Sequence, residues 1–341
     1  MERVFLDVRL RQHGQDGYKS MKPNLKVGLS VIVPVYNSGA ILAQLVERLE
    51  VVLVKIGMPF EIILINDGSQ DQSWAVIEEM AKKKDWIRGF CLRRNFGQHN
   101  ALLCGIRKAC FEISVTLDDD LQNPPEEIPQ LLACLSEGRD VVYGQRVAKR
   151  HGWYRSWASS VVKLAMVSAM GVGIARQISP FRVFRTRLRD ALDRFESPFV
   201  SVDVLFSWVT QNFCAVRVSH SESKRVKSNY NFLRLCSYAI SMVSGFSSWP
   251  LRFASIIGFI FSFFGLLILC YVVALYFAKG TPVAGFPFLA STIAIFSGIQ
   301  LFSIGVIGEY LARIHFRMMG KPTYFIEKET QQKQDQKEAK A

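Results

Sequence analysis

No CxxC pair occurs anywhere in this 341-residue chain, and its seven cysteines are odd in number and scattered. That excludes a zinc ribbon or a disulfide framework and describes reduced, mostly buried thiols in a cytosolic domain. The N-terminus is polar and charged, with no apolar run behind a basic start, so no signal peptide is expected. Charge is missing altogether from Phe253 to Phe277, and again from Phe286 to Gly308. Each of these runs exceeds the roughly 20 residues that a membrane-spanning helix needs. The connector between them has little charge, with Lys279 as its one basic residue.

Lysine and arginine crowd the other flanks. Lys224, Arg225, Lys227, Arg234 and Arg252 precede the first run, and Arg313, Arg317 and Lys321 follow the second. The positive-inside rule then puts both flanks in the cytoplasm and the connector on the far side. The formal net charge of +13 is read as attraction to anionic lipid headgroups, not to nucleic acid.

The chain divides by composition. Residues 1–26 are a polar extension. From residue 27 strand-like and helix-like runs alternate. Leu29–Tyr36, Glu61–Asp67, Gly89–Arg94, Ile113–Asp119 and Asp140–Arg146 read as strands. Gly39–Lys55, Asp71–Lys84, Gln98–Cys110 and Pro125–Ser136 read as helices. Such alternation predicts an α/β fold with a doubly wound, mostly parallel sheet. Ligands bind at the carboxyl ends of such strands. The polar clusters "VYN", "NDGS" and "DDD" all fall there, so one crevice is expected to gather them. Trp157–Ile174 reads as a buried helix or as one lying along the membrane surface. Residues 231–250 read as a juxtamembrane interfacial helix, 251–312 as the two spans, and 313–341 as a cytoplasmic tail, disordered from Glu327.

The stretch "VTLDDDLQNPPEEIP" (Val115–Pro129) carries the sharpest chemistry. Neighbouring carboxylates repel unless a cation shares them. Asp118 and Asp120, with the amide oxygen of Gln122, supply hard oxygen ligands for Mg²⁺ or Mn²⁺ bridging a diphosphate. An acidic turn that caps the helix at Pro125 explains the same residues. On the aspartates alone the two readings stand level.

The order of motifs separates them. "SVIVPVYN", "INDGSQD", "RRNFGQHNAL", "LDDDLQNPPEEIP" and "VVYGQR", followed by "PLRFASIIG", two spans and "GEYLARIH…KPTYFI", resemble the polyprenyl-phosphate glycosyltransferases of family 2. The resemblance covers about Leu29 to Ile326. It implies a GT-A-like catalytic domain over residues 27–230 and transfer of a sugar from a nucleotide donor, expected to be UDP-linked, to undecaprenyl or another polyprenyl phosphate. It implies that Pro34 and Tyr36 line the base pocket and that Asp67 contacts the base. It implies too that Arg94 faces the donor and that Asp118, Asp119 and Asp120 meet the nucleotide diphosphate and metal. By the same resemblance Arg146, Arg225, Lys227 and Ser228 are expected to meet the acceptor phosphate, and Arg182 is expected to act in catalysis. It implies a homotetramer at the inner membrane, serving envelope glycan or lipopolysaccharide modification. His99 is expected to be a packed histidine and not a base.

Three positions depart from the family pattern. Ser38 stands where "YNE" has glutamate. Ser179-Pro180 precede Phe181 where "GDFRL" has an acidic residue. Val226 stands at the glycine of "RxxGxSKY". A polysaccharide synthase is a rival reading, but two spans are too few for its pore and "QxxRW" is absent. A membrane-anchored nucleotide-sugar-binding subunit without catalysis is the non-enzyme rival.

Overall fold

The computed structural model describes residues 25–146, 178–193, 195–197, 200–219, 249–279 and 285–330. The helix expected over residues 157–174, all but the last two residues of that expected over 231–250, and the phosphate-loop candidates Arg225, Lys227 and Ser228 lie outside the described residues.

β1 (Lys26–Val35) is buried throughout from Gly28 onward, as a central strand covered on both faces must be. It is followed by α1 (Gly39–Ile56), β2 (Phe60–Asn66), α2 (Ser73–Lys83), β3 (Ile87–Leu92), α3 (Gln98–Lys108), β4 (Phe111–Thr116), α4 (Ile128–Ser136) and β5 (Val141–Arg146). Then come β6 (Arg182–Arg185), α5 (Arg189–Leu192), α6 (Val202–Val209) and β7 (Phe213–Val218). α7 (Trp249–Lys279), α8 (Phe286–Met318) and β8 (Ile326–Glu329) complete the order.

The sheet order is β7-β5-β6-β4-β1-β2-β3-β8. β1 runs parallel to both β2 and β4, β2 to β3, and β5 to β7. The expected parallel set is therefore present, with two antiparallel additions. β6 lies between β4 and β5, antiparallel to each, so β5 does not adjoin β4. β8 closes the far edge against β3. The expectation of a disordered tail from Glu327 is corrected here. Glu327, Lys328 and Glu329 continue the strand that begins at Ile326, because the free edge of β3 offers them ladder partners.

Successive β1 residues point to opposite faces. Val31, Val33 and Val35 join one apolar core with Leu42, Leu45 and Leu49 of α1 and Leu131 of α4. Ile32 joins the other with Ile63, Ile65, α3 and Phe206 of α6. Gly105 lets α3 approach closely. A Cβ there would lie 2.4 Å from a methyl of Ile32. β1 has β4 on one side and β2 on the other, so the strand order reverses beside it, and the crevice of such a sheet opens at that point.

α7 and α8 are apolar and exposed. The segments Pro250–Ala278 and Ile295–Met318 are long and apolar enough to cross a membrane, with mean hydropathies of 2.7 and 1.4. The first matches the expected run. The second helix continues ten residues past Gly308, to Met318. The helices touch through an edge-on contact of Phe261 and Phe296, centroids 6.2 Å apart.

Candidate active site

A polar crevice of about 360 Å³ lies at the carboxyl ends of β1, β2 and β4. Pro34, Tyr36, Asp67, Asp118, Asp119 and Asp120 line it, together with Asn95, Gly97 and Gln98. The three polar clusters do converge. A larger hollow of about 690 Å³ opens near the amino end of β4, but its walls, such as Ile56, Met58 and Leu132, are mostly apolar and carry no convergent polar groups.

The crevice loops are tied to one another. The N–H of Asn37 donates to Oγ of Ser69 at 3.0 Å, and the N–H of Gln70 donates to Oδ1 of Asn37 at 2.9 Å. Asp67 is 3% exposed and accepts the N–H groups of Phe96 and Gly97 at 2.7 and 2.9 Å. Burial pushes its carboxyl above the ordinary range, against the pull of those two amides. Asp67 therefore fixes the 94–97 loop as well as lining the crevice. Gly68 has φ +65°, and a Cβ there would lie 2.4 Å from the backbone of Arg94 and Asn95, so that approach needs glycine.

The aspartates take separate roles. Asp118 accepts from the side-chain amide of Gln98. Asp119 accepts from the N–H of Tyr36 and the hydroxyl of Ser38. Asp120 accepts the N–H of Gln122 at 3.0 Å. The helical segments that start at Pro125 and Ile128 have no side-chain cap, so helix capping does not explain the triplet. Glu126 instead makes a two-pronged ion pair with Arg48. Leu121, next in line, is buried with φ +60°. A left-handed leucine costs about 1–2 kcal/mol, and the turn that presents the carboxylates holds that strain.

Among the described residues no three His, Cys, Asp or Glu side chains are grouped to hold a metal unaided. The donor set nevertheless fits Mg²⁺ or Mn²⁺. Such ions are commonly held by one or two carboxylates, with substrate phosphates and water completing the shell. The N-terminus of α3 adds to the same side of the site. Gly97 and Gln98 line the crevice, and no acidic residue sits in the first turn. The positive end of its dipole suits an anion there. Gln98 was not singled out in the sequence. Its only signal is a long amide at a helix start within "RNFGQHN".

Arg182 differs from expectation. Its side chain is 1% exposed, below the crevice surface. Nε donates to Oγ1 of Thr116 at 2.9 Å, and Nη1 is ion-paired with Asp203, which also accepts from the hydroxyl of Tyr143 at 2.9 Å. A guanidinium held this way does not face a phosphate in the crevice. It ties the end of β4, two residues before Asp118, to α6. Asp203 was missed because it lies on α6, far from any motif. His99 is packed as expected. Its Nδ1 accepts the N–H of Val202 at 3.4 Å, and burial lowers its pKa.

Arg94 is exposed, its guanidinium 4.7 Å from the ring centroid of Phe96, and is not among the crevice-lining residues. Arg146 ends β5. Ser179 and Pro180 stand beside the network. The carbonyl of Pro180 accepts from Thr116 Oγ1 at 2.9 Å.

A family model described as "Glycosyl transferase family 2" matches residues 30–200. The chain is 33% identical over 311 residues to the undecaprenyl-phosphate 4-deoxy-4-formamido-L-arabinose transferase of Pseudomonas aeruginosa strain LESB58, covering 90% of this chain and 92% of that one. The protein of the same name from Proteus mirabilis is 33% identical over 303 residues, covering 88% and 93%. Among solved structures, Staphylococcus aureus TarS is 18% identical over 64% of each chain, with a TM-score of 0.43. Glucosyl-3-phosphoglycerate synthase from Mycobacterium tuberculosis, in complex with Mn²⁺, UDP-glucose and phosphoglyceric acid, is 16% identical over 64% of this chain and 79% of that one, with a TM-score of 0.45.

Proposed function

The chain belongs to glycosyl transferase family 2, and we propose that it moves a sugar from a nucleotide-sugar donor to undecaprenyl or another polyprenyl phosphate. The observation that carries this reading is full-length similarity to undecaprenyl-phosphate sugar transferases, covering 90% of this chain and 92% of the relative. So long a match takes in both the crevice and the apolar helices.

In the reaction an oxygen of the acceptor phosphate attacks the anomeric carbon of the sugar. The bond from that carbon to the donor diphosphate breaks, and the nucleoside diphosphate leaves. Pro34 and Tyr36 line the base side of the crevice, and Asp67 holds the 94–97 loop against it. Asp118 and Asp120, with Gln122 beside them, would hold Mg²⁺ or Mn²⁺. When bound, the ion neutralises charge that gathers on the departing diphosphate. The α3 N-terminus lends further positive potential. Arg94, on the loop that Asp67 holds, is assigned to the donor. Arg146, Arg225, Lys227 and Ser228 receive the acceptor phosphate. Arg182 works through Thr116, below the reacting groups.

The protein acts at the inner membrane as a homo-oligomer, a tetramer by family resemblance. The catalytic domain and both flanks of the spans face the cytoplasm. Two features support that topology: the bias of lysine and arginine, and the return of the chain after α8 to pair β8 with β3 of the catalytic sheet. The product serves envelope glycan or lipopolysaccharide modification. Purified protein, a radiolabelled nucleotide sugar and a short-chain polyprenyl phosphate test the activity directly. Label in the lipid supports transfer. Nucleotide-sugar binding with no labelled lipid would instead identify a non-catalytic binding subunit.

A further inference from the structure

Ser38 and Asp119 are 81 residues apart in sequence and meet at the crevice. The Ser38 hydroxyl donates to Oδ2 of Asp119, and the N–H of Tyr36 donates to the same oxygen at 3.1 Å. Both side chains are nearly sealed from water, at 4% and 5% exposed. Asp119 thus joins the β4 loop, which carries Asp118 and Asp120, to the β1 loop, which carries Tyr36. The Tyr36 side stays open, at 42% exposed, and lines the crevice.

Position 38 is also where the sequence departs from its family pattern, with serine in place of glutamate. A glutamate at 38 has the reach to put its carboxylate where that of Asp119 lies. We infer that Asp119 is a positioning residue for the nucleotide half of the donor, and that its carboxylate stands in for the acidic group displaced from position 38. This rests on the nucleotide-sugar reading of the crevice and adds to it a division of labour within the triplet. Asp118 and Asp120 serve the diphosphate end. Asp119 sets the place of the Tyr36 backbone and so of the base-side wall.

The backbone on both sides of the contact agrees with that role. Asn37, between Tyr36 and Ser38, has φ +50°, and Leu121, two residues after Asp119, has φ +60°. Asparagine tolerates the left-handed region, but leucine does not, and such a leucine persists only where surrounding contacts over-determine it. Charge-assisted bonds to a buried carboxylate are strong enough to do so. A second carboxylate at position 38 would face Asp119 at close range and repel it.

The test is a charge swap. Binding of uridine, guanosine and cytidine diphosphates with Mg²⁺ is titrated on wild-type protein, and the tightest is carried to Asp119→Ala, Ser38→Glu and the double variant. Each single change is expected to weaken binding about tenfold, as loss of one charge-assisted bond implies. The double variant is expected to return to within about threefold of wild type, because one carboxylate again sits between the loops. In steady-state assays the donor KM should follow the same order while kcat moves less. If wild type binds no nucleotide, the crevice assignment falls and this inference with it. If wild type binds and Asp119→Ala binds equally well, the inference alone is overturned. Should Asp119→Ala fail to fold, the double variant against Ser38→Glu decides: no recovery overturns the inference.

Discussion

The guanidinium of Arg182 and the carboxylate of Asp203 form an ion pair in the protein interior, 1% and 4% exposed, with Tyr143 and Thr116 completing the set. Breaking a buried pair from one side strands a charge and costs about 3–5 kcal/mol. Asp203→Ala and Arg182→Ala are therefore expected to lower the unfolding temperature of the detergent-solubilised protein sharply. Arg182→Met with Asp203→Leu should lose much less. Equal losses in single and double variants would show that the pair itself is not what holds this region.

Asp118→Asn or Asp120→Asn should cut transfer by about a hundredfold or more, since a charged ligand of the leaving-group cation is worth several kcal/mol. A chelator should silence the wild type, and added Mg²⁺ or Mn²⁺ should restore it. Near-normal turnover in both variants would remove the metal from the mechanism.

Burial holds the Asp67 carboxyl above its ordinary value, even with two amide donors. Between the ordinary and the raised value, the folded state keeps a proton that the unfolded state has released. Folding stability from this group is therefore greatest in acid and falls as pH rises through that window. Asp67→Asn should flatten this contribution. Unfolding temperatures of the two proteins, followed as pH rises from the ordinary carboxylate range toward neutrality, would check it.

Cysteine labelling of whole cells addresses orientation, with the exposed Cys110 and Cys270 replaced by serine. A probe cysteine at Thr281 should react with an impermeant reagent, and probes at Ser69 or Thr323 should not. Reaction at Ser69 would overturn the cytoplasmic assignment.

The residues Ser179 and Pro180, where the family pattern has an acid, should not inactivate the enzyme. A phosphomonoester acceptor has its second pKa near ~6 and arrives largely deprotonated at neutral pH. Transfer should rise through that value and then level off, with no further ionisation. Ser179→Ala and Pro180→Ala should keep most activity, and Arg182→Ala should lose far more. A second ionisation in the rate profile would point to an enzyme base.

Much of this protein was legible in one dimension because the deciding physics is local. Strand-then-helix periodicity marked β1 to β5, since a strand buried on both faces must be apolar along its length, as Val31, Ile32 and Val33 are. Long uncharged runs marked α7 and α8, since hydrocarbon tolerates no charge. Aspartates at a strand end marked the crevice, since a parallel sheet brings those ends together. Other features rest on partners far away in sequence. β8 looked like a charged tail because Glu327 to Glu329 are strand only where β3 leaves an edge free. Arg182 read as a catalytic residue because its partner, Asp203, lies in a motif-free helix. Ser38 read only as a departure from the family pattern because the carboxylate it meets is 81 residues on, at Asp119. The sequence alone determined the alternating strands and helices up to β5, the two long apolar helices, and which charges gather at the sheet's open end. Only the tertiary structure decided which charge is exposed and which is paired, because that depends on distances between residues that the chain itself keeps far apart.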